Sequence, residues 1–116
     1  MSAPQVEEYR FGQMMVDGET YTNDLILLPE RVVPNWWREE GHRLSVRDLK
    51  VVFAAQSEVL VVGTGAHGVM NVPQETRKAA REAGVELRIA QTDEAWKVYN
   101  ELREQRKTAG AFHLTC

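Results

Sequence analysis

The residues with the means to do chemistry are three histidines, His42, His67 and His113, a carboxylate at Asp24, and a glycine loop, Gly63-Thr64-Gly65-Ala66-His67-Gly68. The loop spells G-x-G-x-x-G after an apolar run. In a dinucleotide-binding unit that pattern lets a pyrophosphate approach main-chain N–H groups at a helix N-terminus. Three features count against that use. The helix signal starts at Pro73, five residues beyond Gly68, so Gly68 cannot pack a helix on its strand. No acid closes the following strand, which ends Ile89-Ala90-Gln91. A chain of 116 residues is also too short to hold a full dinucleotide domain and a substrate domain. The loop reads better as a sharp turn where backbone passes close to backbone. Its N–H groups, around Gly63, Thr64 and Gly65, could still form a nest for a smaller anionic or polar ligand.

His67 lies inside the loop, where imidazole could serve as acid or base near neutrality; a solvated turn histidine is the plainer reading. His42 follows a tryptophan pair and His113 sits in the last strand signal. Each could act on a ligand, and each could equally be a hydrogen-bonded structural residue. Asp24 interrupts the apolar stretch that continues as Leu25 to Leu28, and a carboxylate beside a core strand needs a partner. It reads either as a site carboxylate or as an edge position with a local hydrogen bond. Trp36 and Trp37 offer large amphipathic area. Burial is their default, and exposure of either would mark a partner surface. Cys116 stands alone, with no basic neighbour to lower its pKa.

The bulk properties narrow the partners. A net charge of -3 with no basic stripe gives no reason to attract phosphate backbones, so nucleic acid is not expected. One cysteine permits no internal disulfide, and no Cys or His spacing suits a metal. No cofactor is implied. The N-terminal ten residues have no apolar core, so no signal peptide is expected. The longest apolar run, Val59 to Val62, is far too short to span a membrane. These features suit a reducing compartment such as the cytoplasm.

The elements that must position these residues follow from periodicity. Tyr9 to Phe11, Met14 to Val16 and Tyr21 to Leu28 read as strands, and Asp17-Gly18 supplies the positive φ angles of a tight hairpin turn. Pro29 and Pro34 end that region, and Val33 to Leu44 reads as a loop packed by its aromatics. Ser45 with Asp48 is a loose capping signal for a helix over Val46 to Ala55. Val59 to Val62 is a continuous β-branched-rich run, the mark of a strand buried on both faces. A helix follows from Pro73 to about Ala83, stopped by Gly84. Val85, Leu87 and Ile89 alternate with wetter residues as a strand. Thr92 is placed to cap the last helix, whose stripe holds Ala95, Tyr99 and Leu102, with Asn100 as a latch to a neighbouring segment. Ala111, Phe112 and Leu114 suggest a final short strand after Gly110. The whole reads as one α/β domain over residues 1–116, three-layered, with a central mixed β-sheet, helices and an N-terminal β-hairpin. Met1 to Pro4 is expected to be a loose tail.

The ordered set Tyr9-x-Phe11-Gly12, Asp24, His42, Val61-Val62-Gly63-Thr64-Gly65, Thr92-x-x-Ala95, Tyr99-Asn100 and His113-Leu114-Thr115-Cys116 resembles the Mth-type domain family of unknown function. That family includes an adipogenesis-associated protein of animals and a mitochondrial respiratory complex I assembly factor. The resemblance implies a three-layer fold on a mixed sheet and a glycine loop that is not a dinucleotide site. It brings no established catalytic residues, and some relatives act as assembly factors. With no mitochondrial presequence evident, the chain looks like a free-standing bacterial or archaeal-type member, and the complex I role is not transferred.

Two functions are therefore carried forward. The first is a non-enzymatic protein-interaction or assembly module using Trp36 and Trp37. The second is a small-ligand-binding protein or modest enzyme using the Gly63–Gly68 loop, with Asp24, His42, His67 or His113 as its polar groups. Enzyme activity stays undecided between them. A protein partner fits the first reading, and homo-oligomers are allowed by the sequence without being called for.

Overall fold

The structure is a computed structural model and describes residues 3–116. Among the described residues eight strands form two sheets. The first is a three-stranded antiparallel meander of β1 (Val6–Arg10), β2 (Gln13–Val16) and β3 (Glu19–Tyr21). Asp17 and Gly18, at φ 48° and 83°, make the tight turn between β2 and β3 that their types call for. The strand expected at Tyr9 to Phe11 is met by β1, which starts earlier, at Val6, and ends at Arg10.

The second sheet holds β4 (Leu25–Leu27), β5 (Val32–Val33), β6 (Val59–Thr64), β7 (Glu86–Ala90) and β8 (Thr108–His113), in the order β5-β4-β8-β6-β7. β6 runs parallel to both β7 and β8, and β4 runs antiparallel to β8. The expected strand Tyr21 to Leu28 is therefore two strands in two sheets. The break falls at Thr22–Asp24, where the Asp24 side chain turns to bond groups at the far end of β8 rather than continuing a ladder.

The helices cover both faces. A 3₁₀ turn, Val46–Leu49, runs into α1 (Lys50–Ala54); then come α2 (Gln74–Glu82) and α3 (Thr92–Arg103). The Asp48 carboxylate accepts from both the N–H and the hydroxyl of Ser45, so the loose capping signal is used. Alternation in the strands builds two cores. Leu60 and Val62 of β6, with Ile26 and Ala111, face Val52 of α1 and Ala80 of α2. Val59 and Val61, with Leu25, Leu27 and Phe112, face Ala95 and Tyr99 of α3 and Val6 and Met14 of the small sheet. Burying each such Val or Leu contributes about 1.5–3 kcal/mol.

Three further expectations change. The final strand is not short: β8 is six residues long, buried throughout, and lies between β4 and β6 at the centre of the five-stranded sheet. Gly110 belongs inside it, since a Cβ there would come within 2.5 Å of the Phe112 ring and 3.1 Å of Tyr99. Thr92 does not cap α3. It is the first helical residue, and its hydroxyl donates to the His113 carbonyl at 2.6 Å. Of the expected loose tail, Met1 and Ser2 lie outside the described residues, while Ala3 and Pro4 are held. The Pro4 carbonyl accepts from the Tyr99 hydroxyl at 2.7 Å and the Ala3 carbonyl from Arg103. Asn100 does latch, exchanging two hydrogen bonds with the Val6 main chain. No helix of the described residues is long and apolar enough to cross a membrane.

Candidate functional site

α2 lies on one face of the sheet and α3 on the other, so the connections leaving the carboxyl ends of β6 and β7 diverge. In an open α/β sheet the crevice at such a divergence, outside the carboxyl ends of the strands, is where ligands bind. The glycine loop and the three residues after β8 meet there.

That crevice is filled by the chain itself. The N–H groups of Ala66, His67 and Val69 donate to main-chain oxygens of Thr115 and Cys116 at 2.6, 3.3 and 3.1 Å. Gly65 donates to the Thr92 hydroxyl at 2.9 Å, Gly68 to the Gly65 carbonyl and Met70 to the Thr64 carbonyl. Every N–H from Gly65 to Met70 thus has an acceptor in the protein. The cradle expected at Gly63, Thr64 and Gly65 presents no free donors, because Thr115 and Cys116 occupy the place of a ligand. Close crossing explains the glycines. A Cβ at Gly63 would stand 2.8 Å from both the Phe112 ring and the Thr92 hydroxyl, and one at Gly65, where φ is +106°, would overlap the Cys116 backbone.

Asp24 and His113 do come together, with a residue that the sequence reading missed. Asp24 Oδ2 lies 2.7 Å from His113 Nδ1 and 2.7 Å from Arg38 Nη2, and Asp24 Oδ1 accepts from the Leu114 N–H at 2.7 Å. The Arg38 side chain is 4% exposed and that of His113 7%. Arg38 also donates twice to the Gly41 carbonyl and lies over the Trp36 ring at 4.7 Å. Burial pushes the Asp24 carboxyl pKa upward. The hydrogen bonds from His113, Leu114 and Arg38 oppose it and together hold the carboxyl below the usual value. No local signal marks Arg38 in the sequence; its long stem and fixed charge let it reach Asp24 from the loop that carries the tryptophans.

What this cluster can do follows from its geometry. The Asp24 contact is shorter than the 3.1 Å between His113 Nδ1 and Arg38, so Nδ1 carries a proton and donates it to Asp24. That leaves Nε2 as the working nitrogen for any acid–base role, and Nε2 is buried without a partner. As a set of bonds between distant segments the cluster is a clamp. It ties the start of β4, the end of β8 and the loop carrying the tryptophans into one block. His42 is exposed and packs edge-on to His113 with centroids 5.7 Å apart. His67 is exposed elsewhere, 6.3 Å from the Phe11 ring. The three histidines therefore do not form one site. Among the described residues no group of three or more His, Cys, Asp or Glu side chains could hold a metal.

The tryptophan pair splits. Trp36 is 7% exposed, its N–H donating to the Asp24 carbonyl and its indole to the Asp48 carbonyl. Trp37 is 77% exposed. It stands between two hollows, one of about 280 Å³ shared with Asp24, Arg38, His113 and Thr115, and one of about 420 Å³ shared with Arg47, Lys50 and Ala54. Two other exposed apolar residues border the same Leu114–Cys116 segment. Phe11 precedes Gly12, whose N–H bonds the Leu114 carbonyl, and Val69 bonds Cys116 directly.

Comparison with known proteins agrees with this architecture. The model of the family described as protein of unknown function (DUF498/DUF598) matches residues 6–113. The chain belongs to that family. Solved structures similar to it include a conserved hypothetical protein of Pyrococcus horikoshii, 27% identical over 97% of this chain and 99% of that one, at a TM-score of 0.82. A protein of Rhodopseudomonas palustris is 30% identical, covering 97% and 87%, at 0.75. A Bordetella pertussis protein described as a Mth938-like domain is 19% identical, covering 96% and 85%, at 0.73, and shares the fold. The Mth-type resemblance carried by the ordered residues is thereby met, as is the mixed α/β architecture.

Proposed function

We propose that the protein is a non-enzymatic interaction or assembly module whose partner, another protein, seats over Trp37. The observation that carries this reading is the contrast within Trp36-Trp37-Arg38. The outer two side chains are buried and bonded, while the middle indole is held in solvent between two hollows. A large aromatic on a rigid base loses little conformational freedom on binding, which is what makes such residues dominate interface energies. Phe11 and Val69 widen the apolar surface at the same end of the sheet. The ligand-binding alternative is less well supported at the glycine loop, because its N–H groups are taken by Thr115 and Cys116. A cytoplasmic setting, with Cys116 free and exposed, goes with this reading.

The test compares tagged protein and its Trp37→Ala variant as bait in extract of the native host, with quantitative mass spectrometry. A Phe11→Ala variant and a distant surface variant, Glu104→Ala, serve as further baits. A partner held by the parent and by Glu104→Ala, and released at least tenfold by Trp37→Ala, is the expected result. Identical retention by Trp37→Ala, with its thermal stability unchanged, refutes the reading.

A further inference from the structure

A hollow of about 710 Å³ lies along one edge of the five-stranded sheet, lined by residues other than those of the two Trp37 hollows. It runs between α2 and β7 and is lined by Gln74, Arg77 and Arg81 on one side and Val85, Leu87 and Ile89 on the other. β7 is an edge strand, paired with β6 alone. In a parallel ladder each residue turns both of its main-chain groups to one side, and successive residues alternate. The Glu86 N–H donates to the Glu58 carbonyl, toward β6, and the Ala90 carbonyl accepts from the Thr64 hydroxyl, also toward β6. Leu87 and Ile89 therefore turn their N–H and C=O groups outward. Their side chains pack, half-exposed, against the core on the α2 face. An edge of this kind is a template for an added strand.

Charge says what kind of strand. Arg77 and Arg81 are exposed on the face of α2 that overhangs this edge, and among the described residues neither has a carboxylate partner. Arg77 spends only its Nε–H, on the Val72 carbonyl. The acid of β7, Glu86, is already engaged by Arg88 and Arg106. Four residues along a helix cover about 6 Å, and two along a strand about 6.7 Å. The two guanidinium groups are thus spaced to meet side chains at alternate positions of an added strand. A second copy of this chain fits less well, since pairing β7 with β7 about a two-fold axis normal to the sheet sets the two α2 helices, with their arginines, side by side.

We propose that the free edge of β7 binds an extended segment of a partner protein as an added strand, with acidic side chains at two alternate positions of that segment facing Arg77 and Arg81. The inference is independent of the Trp37 surface, and each can fail without the other.

The experiment selects random dodecapeptides displayed on phage against the whole protein, then measures synthetic copies of the enriched peptides by fluorescence anisotropy and amide NMR. Enriched peptides are expected to carry Asp or Glu at positions i and i+2 and to shift the amide resonances of Leu87 and Ile89. Affinity should fall at least tenfold in Arg77→Glu/Arg81→Glu, a surface change that leaves the core untouched. A peptide with its two acids changed to Lys should prefer that variant over the parent. The proposal is overturned if no peptide is enriched, if binders lack the alternate acids, or if their shifts centre elsewhere. It is equally overturned if light scattering shows a dimer whose dissociation moves the Leu87 and Ile89 resonances.

Discussion

Replacing Asp24 by Asn removes the charge at the centre of the clamp while keeping an oxygen that can accept the Leu114 N–H. The change leaves Arg38, whose side chain is 4% exposed, as a buried cation without its counter-ion. Breaking a buried pair from one side costs about 3–5 kcal/mol. Because the Asp24 side chain keeps 16% of its exposure, the low end, about 3 kcal/mol, is expected. With a urea m-value near 1.5 kcal/mol per M, that is a drop of roughly 2 M in the unfolding midpoint. Removing the cation as well, in Asp24→Asn/Arg38→Met, should recover part of the loss, since no unpaired buried charge remains, although the Gly41 carbonyl then loses its donor. The gap between parent and Asp24→Asn also depends on pH. The folded-state pKa of Asp24 is lowered, so its contribution is complete above the unfolded value near 4 and disappears as pH falls through the lowered folded value. Urea titrations from pH 7 to pH 2.5 measure all of this. A double variant as unstable as the sum of its parts, or a gap that persists unchanged to pH 2.5, refutes the clamp.

The remaining expectations are narrower. Thr92→Val removes a hydroxyl that accepts from Gly65 and donates to His113, both in the buried crossing, and should cost about 2–4 kcal/mol by chemical denaturation, against less than about 1 for Thr92→Ser. Gly65→Ala places a methyl on the Cys116 backbone, and should therefore expose the Ala66, His67 and Val69 amides to fast hydrogen exchange while α3 stays protected. Trp37→Ala, at an exposed position, should change stability by less than about 0.5 kcal/mol in the same titrations, whatever it does to a partner.

Much of this architecture is legible in local pattern. Val59 to Val62 reads as a strand buried on both faces because its neighbours on each side are core layers, and Asp17-Gly18 reads as a turn because few other pairs tolerate its two positive φ angles. What escapes is whatever depends on distant partners. The small residues of β8 look like a weak strand, and only its long-range pairing with β4 and β6 makes it the centre of the sheet. The glycine loop announces a set of clustered N–H groups, but no local signal says that Thr115 and Cys116 take them. Asp24 and His113 are 89 residues apart, and only the placing of β4 beside β8 brings them together. Thr92 carries a cap's chemistry at a helix start; the approach of β8 diverts its hydroxyl to His113.

The central place of β8 has a consequence for how the chain must assemble. β4 and β6 flank a gap that neither can close, and the strand that closes it is synthesised after every other strand described. Hydrogen bonding of β4 to β8 joins residues 25–27 to residues 110–112. A nascent chain carrying β1 through α3 therefore holds two unpaired edges and half-covered cores, and cannot commit to its sheet. Folding waits for β8, whose pairing with β4 and β6 completes the sheet and in the same step brings Leu114 to Asp24 and Thr115 to the glycine loop. Such dependence on distant pairing favours slow, all-or-none formation over growth from one end.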